Sequence, residues 1–174
     1  MPIYASAGST VKFTPAPEGA HAAVCCDVRD LGILDVTWQG TRKKQHKILV
    51  SWQIDEPRDD GKPYLVSRRY TLSLHEKAGL RKDLEAWRGR AFTEPELQQF
   101  DVESIIGKPC LLQVMHRQSG GDTYANVAGI MGLPKGMNAP KVRDYVRFVD
   151  RKDDHPASAD DAEQPPITDD DIPF

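Results

Sequence analysis

The stretch that decides the fold is KILVSWQID, residues 47–55, because large apolar side chains alternate along it. One face of an extended chain would carry Ile48, Val50, Trp52 and Ile54. The opposite face would carry Lys47, Leu49, Ser51 and Gln53. A period of two is typical of a β-strand that turns one face toward a core. The sequence therefore predicts a strand here, and the neighbouring segments extend it into a sheet.

Four further segments have strand character, and a fifth is expected to be extended. Residues 20–34 form a long apolar run with a kink expected near Gly32, and TWQGTRKKQHK (37–47) is expected to be a loop. Asp60-Gly61 is a hairpin signal that leads into YLVSRRYTLSL, residues 64–74. KPCLLQVMHRQ (108–118) and TYANVAGIMGL (123–133) flank an SGGD turn, and KVRDYVRFVD (141–150) would add a last extended segment.

Between the third and fourth strands the period changes. In HEKAGLRKDLEAWRG, Leu80, Leu84 and Trp87 are spaced i, i+4 and i+7, which predicts a helix that ends at Gly89. EPELQQFDVESIIG (94–107) predicts a second short helical segment with Leu97 and Phe100 facing inward.

The predicted order is three strands, a helical insertion and two strands. This is the layout of an OB-fold, a five-stranded partly open barrel that binds oligonucleotides on strands 2 and 3 and on the loops L12 and L45. SH3-like barrels and other small α+β folds share much of the order. We therefore predict a mainly β protein, an OB-fold β-barrel with a helical insertion between strands 3 and 4, in residues 20–150.

Charge divides the chain into two parts. Of its 26 acidic residues, eight lie in residues 153–174, which contain no Lys or Arg. Residues 1–152 keep 18 acidic residues against all 23 basic ones, a formal charge of +5. Such a molecule suits a body that binds a polyanion and a tail that competes for the same surface or recruits a basic partner. An ordinary domain with a solubilising tail is the plainer interpretation.

The two ends of the chain have little capacity to form a core. Residues 1–19 are rich in Ala, Ser, Pro and Gly and are predicted to form a flexible arm, with a short edge strand as the alternative. Residues 151–174 are acidic and proline-rich, and are predicted to form a disordered acidic tail. The tail closes on an apolar tip, for which a purely solubilising segment has no need. The tip consists of Asp169, Asp170, Asp171, Ile172, Pro173 and Phe174.

Several classes of protein are disfavoured. The N-terminus lacks the pattern of a secretory signal, and no apolar run approaches the ~20 residues of a membrane span, so a cytoplasmic protein is expected. Cys25, Cys26 and Cys110 form no CxxC pair, and the five histidines show no metal-ligand spacing. No nucleophile elbow or Walker-type loop is present. We expect no enzyme activity, no cofactor and no metal.

Cations interleaved with aromatic residues suggest a single-strand binding surface, since phosphates need a cationic groove and bases need aromatic faces. These residues fall on loop 1–2, on strands 2 and 3, and on the last hairpin. The candidate binding residues are Trp38, Arg42, Lys43, Lys44, Lys47, Trp52, Arg68, Arg69, Tyr70, Arg117 and Tyr124.

Several of these residues have a plainer role open to them. Trp52 lies among Ile48, Val50 and Ile54 and could belong to the core. Trp87, on the apolar stripe of the helix, should belong to it. Tyr70 could lie in the core or stack on a base. The run Arg42, Lys43, Lys44 could be an ordinary solvated loop. Arg68 and Arg69 are neighbours on a strand, so one of them must point away from any barrel interior.

The final six residues, DDDIPF, resemble the acidic tip of bacterial single-stranded-DNA-binding proteins, and the preceding segment resembles that family's linker. The resemblance implies that Phe174 fills an apolar pocket on replication, recombination or repair enzymes, that its carboxylate pairs with a partner's cation, and that the aspartates address a basic rim.

The body does not resemble the domain of the bacterial proteins. Two segments within residues 64–136 resemble phage-encoded OB-fold single-stranded-DNA-binding or replication proteins. They are YTLSLHEKAGLRKDLEAWRGRAFTEPEL and IIGKPCLLQVMHR…YANVAGIMGLPKG. The resemblance implies a protein that protects single-stranded DNA in a bacterial host cytoplasm and recruits host or viral enzymes through its tip. A homo-oligomer is possible, although no dimer-interface motif is recognisable.

Two other functions stay open. The barrel could bind protein, with the tip imitating the host tail as an adaptor that has no affinity for DNA. Scattered acids such as Asp27, Asp30 and Asp35 could instead build a metal-dependent nuclease.

Overall fold

The computed structural model describes residues 14–151, which form a mainly β structure with a small helical part. The strands are β1 (Gly19–Trp38), β2 (Thr41–Pro57), β3 (Pro63–Thr71), β4 (Pro109–Ser119) and β5 (Asp122–Met131). Between β3 and β4 lie the helices α1 (Gly79–Arg88) and α2 (Glu94–Gln98) and a 3₁₀ turn at Val102–Ile105. A second 3₁₀ turn, Phe148–Asp150, follows β5. The predicted mainly β fold with a helical insertion is confirmed.

All five strands belong to one antiparallel sheet in the order β3-β2-β1-β4-β5. The meander β1-β2-β3 with β4 returning beside β1 is a Greek key. No backbone ladder joins the edge strands β3 and β5 within residues 14–151. A side chain bridges them, since Arg68 Nη1 on β3 donates to the Val127 carbonyl on β5 at 3.2 Å.

One face of the sheet holds the core, as the alternation in residues 47–55 predicts. Ile48, Val50, Trp52 and Ile54 are each no more than 3% exposed. The insertion covers this face through Leu80 and Leu84 of α1, which are both 2% exposed. Trp52 and Trp87 pack with ring centroids 6.2 Å apart, and Trp87 Nε1 donates to the Pro109 carbonyl at 2.8 Å.

The ends of the helices follow the sequence signals. Helix α1 ends at Gly89, whose φ of 71° suits glycine and whose N–H caps the Glu85 carbonyl. Thr93 and Glu96 form a capping box at the start of α2. Leu97 and Phe100 pack against the core, as predicted.

The predicted loop at 37–47 is wrong, because this segment continues β1 and β2 as a hairpin. Its turn is Gln39-Gly40, with φ of 48° and 77°, and two consecutive positive φ values match the right-handed twist of the strands. Residues 33–38 pair with residues 41–46 and with no other strand of the sheet in the described range. This two-stranded extension, residues 33–46, is called the ribbon.

Both ends of the described chain also differ from expectation. Residues 14–19 of the predicted flexible arm belong to the fold, because Ala16 is 1% exposed and its carbonyl lies 2.6 Å from His116 Nε2. Residues 141–150 do not form a strand. Residues 140–151, called the strap, cross the sheet as irregular chain that ends in the 3₁₀ turn.

Candidate nucleic-acid interface

The face of β1–β3 opposite the core, called the outer face, is built from cross-strand rows. One row joins Asp27, Ser51 and Ser67, with the two serine hydroxyls hydrogen-bonded at 2.8 Å. The next row toward the ribbon joins Arg29, Leu49 and Arg69. Two guanidinium groups therefore flank one leucine in the middle of the outer face.

The ribbon carries three of the predicted cations beyond the edge of the sheet. Arg42, Lys43 and Lys44 are all exposed. Their side chains make no ion pair or hydrogen bond with any residue of the described range 14–151. A phosphate could therefore reach these three cations directly.

Trp38 lies at the tip of the ribbon and is half-buried. Cross-strand pairing places Leu34, Val36 and Lys43 on its side of the ribbon. Val36 is only 5% exposed, so this side of the ribbon has its own small apolar cluster. The arrangement puts one aromatic side chain and one cation on the same surface.

Four of the predicted binding residues make contacts that stabilise the fold. Lys47 is 1% exposed, and its amine donates to Thr71 Oγ1 at 2.8 Å. Trp52 and Tyr70 lie in the hydrophobic core, the alternative that the sequence left open for them. The Tyr70 hydroxyl donates to Asp83 at 2.6 Å. Arg68 pairs with Asp83 at 3.3 Å while it bridges to β5.

The remaining predicted residues are divided between two places. Arg69 lies on the outer face, as expected for one of two neighbouring arginines on a strand. Arg117 and Tyr124 face each other across the β4–β5 hairpin. Since β4 is antiparallel to β1 and pairs with its first residues, this hairpin and the ribbon extend from opposite ends of β1. The outer face lies between them.

The strap was not predicted as part of the site, yet it lies across the outer face. Asp27, 2% exposed, accepts hydrogen bonds from the Tyr145 hydroxyl at 3.0 Å, from the Phe148 N–H at 2.9 Å and from Arg147 Nε at 3.3 Å. Gln53 exchanges two bonds with the backbone of Arg143, at 2.6 and 2.8 Å. Buried polar groups of the sheet therefore hold the strap in place.

These contacts change the acid–base properties of the strap. Burial, with help from the negative groups nearby, raises the pKa of Tyr145 above its ordinary range. The carboxylates of Glu103 and Asp27, which accept its hydrogen bonds, raise the pKa of Arg147. Near neutral pH the Tyr145 hydroxyl is therefore a proton donor and Arg147 a cation, as their bonds to Asp27 require.

Phe148 makes the closest cation–aromatic contact of the described residues, with the Arg29 guanidinium carbon 3.4 Å from the centre of its ring. Arg151 lies 5.6 Å from the Tyr145 ring and 5.9 Å from the Phe148 ring. The sequence signal was the interleaving of aromatic residues and cations in VRDYVRFVD, which was interpreted as a strand instead.

The tip residues 169–174 lie outside the described residues. Within residues 14–151 no three His, Cys, Asp or Glu side chains are grouped to hold a metal ion, and no helix is long and apolar enough to cross a membrane. Burial raises the pKa of Cys25 to about 12, which keeps its thiol protonated.

No protein-family model matches the chain, and a search of curated proteins finds no significant match.

Proposed function

We propose that this protein binds single-stranded DNA without sequence preference, protects it during replication or recombination, and recruits replication and repair enzymes through residues 169–174. Exposed cations of the ribbon contact phosphates, and Trp38 and Tyr124 stack on bases. The protein performs no chemistry on the strand.

The strand order supports an OB-fold. If β3 and β5 are taken as neighbouring edges, the Greek key β3-β2-β1-β4 with its added β5 becomes a five-stranded barrel. The Arg68 bond to Val127 crosses this gap, and the helical insertion falls between β3 and β4. In such a barrel the ribbon is the L12 element and the β4–β5 hairpin is L45.

The observation that carries the proposal is the ribbon. Three consecutive cations extend from the sheet on a hairpin, exposed and without an ion pair in the described part of the chain, with Asp35 opposite Lys44 as the neighbouring acid. A two-stranded ribbon outside the sheet adds little to a core. Its cations suit a polyanionic ligand, because each phosphate that they neutralise releases counterions and adds affinity at low salt.

Recruitment by the tip is supported by the sequence alone. The apolar residues Ile172, Pro173 and Phe174 behind three aspartates fit an apolar pocket with a basic rim on a partner. Deletion of residues 169–174 should abolish binding to a tail-recognising host enzyme, while affinity for oligonucleotides stays the same or increases. Full binding of that enzyme by the deleted protein would contradict this part of the proposal.

Strand binding is tested by titrating a fluorescent oligo(dT) at low salt, with unlabelled duplex DNA as the competitor. The proposal predicts tight binding that duplex does not displace. Equal affinity for duplex would contradict it, and no affinity for either would favour an adaptor that binds only protein. Shortening of the oligonucleotide in the presence of Mg²⁺ or Mn²⁺ would indicate a nuclease.

A further inference from the structure

The strap covers a surface that is more polar and cationic than a permanently buried one usually is. A small cavity remains between the strap and the outer face. Its walls include Arg29, Ser51, Ser67 and Asp27 from the sheet and Phe148 from the strap. Buried interfaces are normally poor in such groups. This face is therefore suited to contact with water or with a charged ligand.

Side chains of the sheet hold the strap in place. Its polar contacts with the sheet include those of Gln53 with Arg143 and of Asp27 with three strap residues. It joins no backbone ladder with any strand in the described range. A segment held by side-chain contacts, and by no backbone ladder, can leave the surface without disrupting the sheet.

Phe148 occupies the outer face as a flat ligand would. Its ring lies on the Arg29 guanidinium at 3.4 Å, an arrangement in which proteins also stack unpaired bases on arginine. Arg69 lies two strands further in the row of Arg29, with Leu49 between them. A base on Arg29 would therefore have a second cation nearby for a phosphate.

The outward side of the strap is partly apolar. Val142, Val146 and Val149 are 38%, 58% and 63% exposed. Arg147 is bound to Asp27 and Glu103, while Lys141 and Arg143 are exposed. The strap therefore keeps positive charge of its own while its Phe148 ring covers Arg29.

Building on the proposed function, we propose that the outer face is a second contact region for the single strand and that residues 143–151 are its displaceable cover. In the free protein, Phe148 takes the place of an unpaired base on Arg29. Strand binding exchanges this ring for a base and lifts the strap. The apparent affinity is then reduced by the fraction of molecules in which the strap is closed.

Loosening the strap without a change of charge tests this inference. Phe148→Leu removes the aromatic contact with Arg29 and should tighten oligo(dT) binding about two- to fivefold, the equivalent of one exposed cation–π contact. Val146→Ala, a neutral change at an exposed strap position, should leave binding unchanged and serves as the control. Weaker binding by Phe148→Leu would overturn the inference, since the ring would then be part of the binding surface.

Hydrogen exchange on the wild-type protein gives an independent measurement. The Phe148 amide donates to Asp27, so its protection reports a closed strap. Saturation with oligo(dT) should accelerate exchange in residues 143–151. Unchanged or slower exchange there would overturn the cover while leaving strand binding intact. If oligo(dT) fails to bind the wild-type protein at all, it is the proposed function that fails.

Discussion

The ribbon and the helical insertion both contain cations and a tryptophan, but they use them differently. In the insertion, Arg81 pairs with Glu85 at 3.1 Å, while Arg88 and Arg90 both pair with Glu96, at 2.6 and 3.1 Å. In the ribbon, the three cations have no carboxylate partner within the described residues. Trp87 packs on the core, whereas Trp38 lies at the ribbon tip.

The difference shows that residue type does not decide a role; the surrounding residues do. A guanidinium held by a carboxylate is locally neutralised, and a phosphate must displace that partner before it can bind. A cation held only by water is free to exchange its counterion for a phosphate. We therefore assign the paired arginines of the insertion to stability, and we propose that the consecutive cations of the ribbon bind the strand.

The largest expected effect is a loss of stability at Trp52, which lies in the core. Trp52→Ala should lower the free energy of unfolding by about 3–5 kcal/mol, because it leaves a cavity beside Trp87. Urea denaturation measures this change, and Trp52→Phe, which keeps a ring in place, should lose much less. Wild-type stability of Trp52→Ala with impaired oligo(dT) binding would instead make Trp52 a stacking residue.

Trp38 should show the opposite pattern. Trp38→Ala should weaken oligo(dT) binding by about 1–3 kcal/mol, the contribution of one stacked base, and should lower the free energy of unfolding less than Trp52→Ala does, because Trp38 is only half-buried. Trp38→Phe retains an aromatic face and should recover most of the affinity. Undiminished binding by Trp38→Ala in a fluorescence titration would remove the ribbon tip from the binding surface.

The smallest effect concerns the paired charges of the insertion. Hydrogen bonds to the Glu96 carboxylate lower its pKa to about 2; the Thr93 backbone N–H contributes most, and Arg90 and Arg88 contribute less. Because this pKa is lower in the folded chain, the stabilisation is complete above the unfolded value of about 4.3 and is lost as the pH falls toward 2. Glu96→Gln should therefore lower the urea midpoint at pH 6, and this difference should disappear near pH 2.

Glu94→Gln is the matched control for that experiment, since Glu94 lies in the same turn and forms no ion pair in the described part of the chain. A difference for Glu96→Gln that persisted unchanged at pH 2 would show that the carboxylate charge is not what stabilises the insertion.

Much of the fold follows from local patterns in the sequence. Alternation in β2, the apolar stripe of α1 and the turn at Asp60-Gly61 all depend on near neighbours, and each was predicted. The loop at 37–47 was mispredicted because its run of cations hid the pairing of Leu34, Val36 and Trp38 across the Gln39-Gly40 turn.

The site was harder to predict because it depends on contacts between distant segments. The burial of Lys47 requires Thr71 on a neighbouring strand, and nothing near Lys47 in the sequence indicates it. The strap reaches Asp27 across 118 positions of the chain through Tyr145. The ribbon cations and Arg117 could be placed on an exposed surface from the sequence because loop and hairpin positions usually face solvent.

The salt dependence of oligo(dT) binding tests the assignment of the ribbon most directly. The wild type is compared with Arg42→Gln/Lys43→Gln/Lys44→Gln and with an equally charged control in the insertion, Lys77→Gln/Lys82→Gln/Lys108→Gln. We predict that the ribbon variant flattens the slope of log K against log salt by about 2, as expected for three lost phosphate contacts, while the control keeps the wild-type slope. Equal slopes for the two variants would contradict the account.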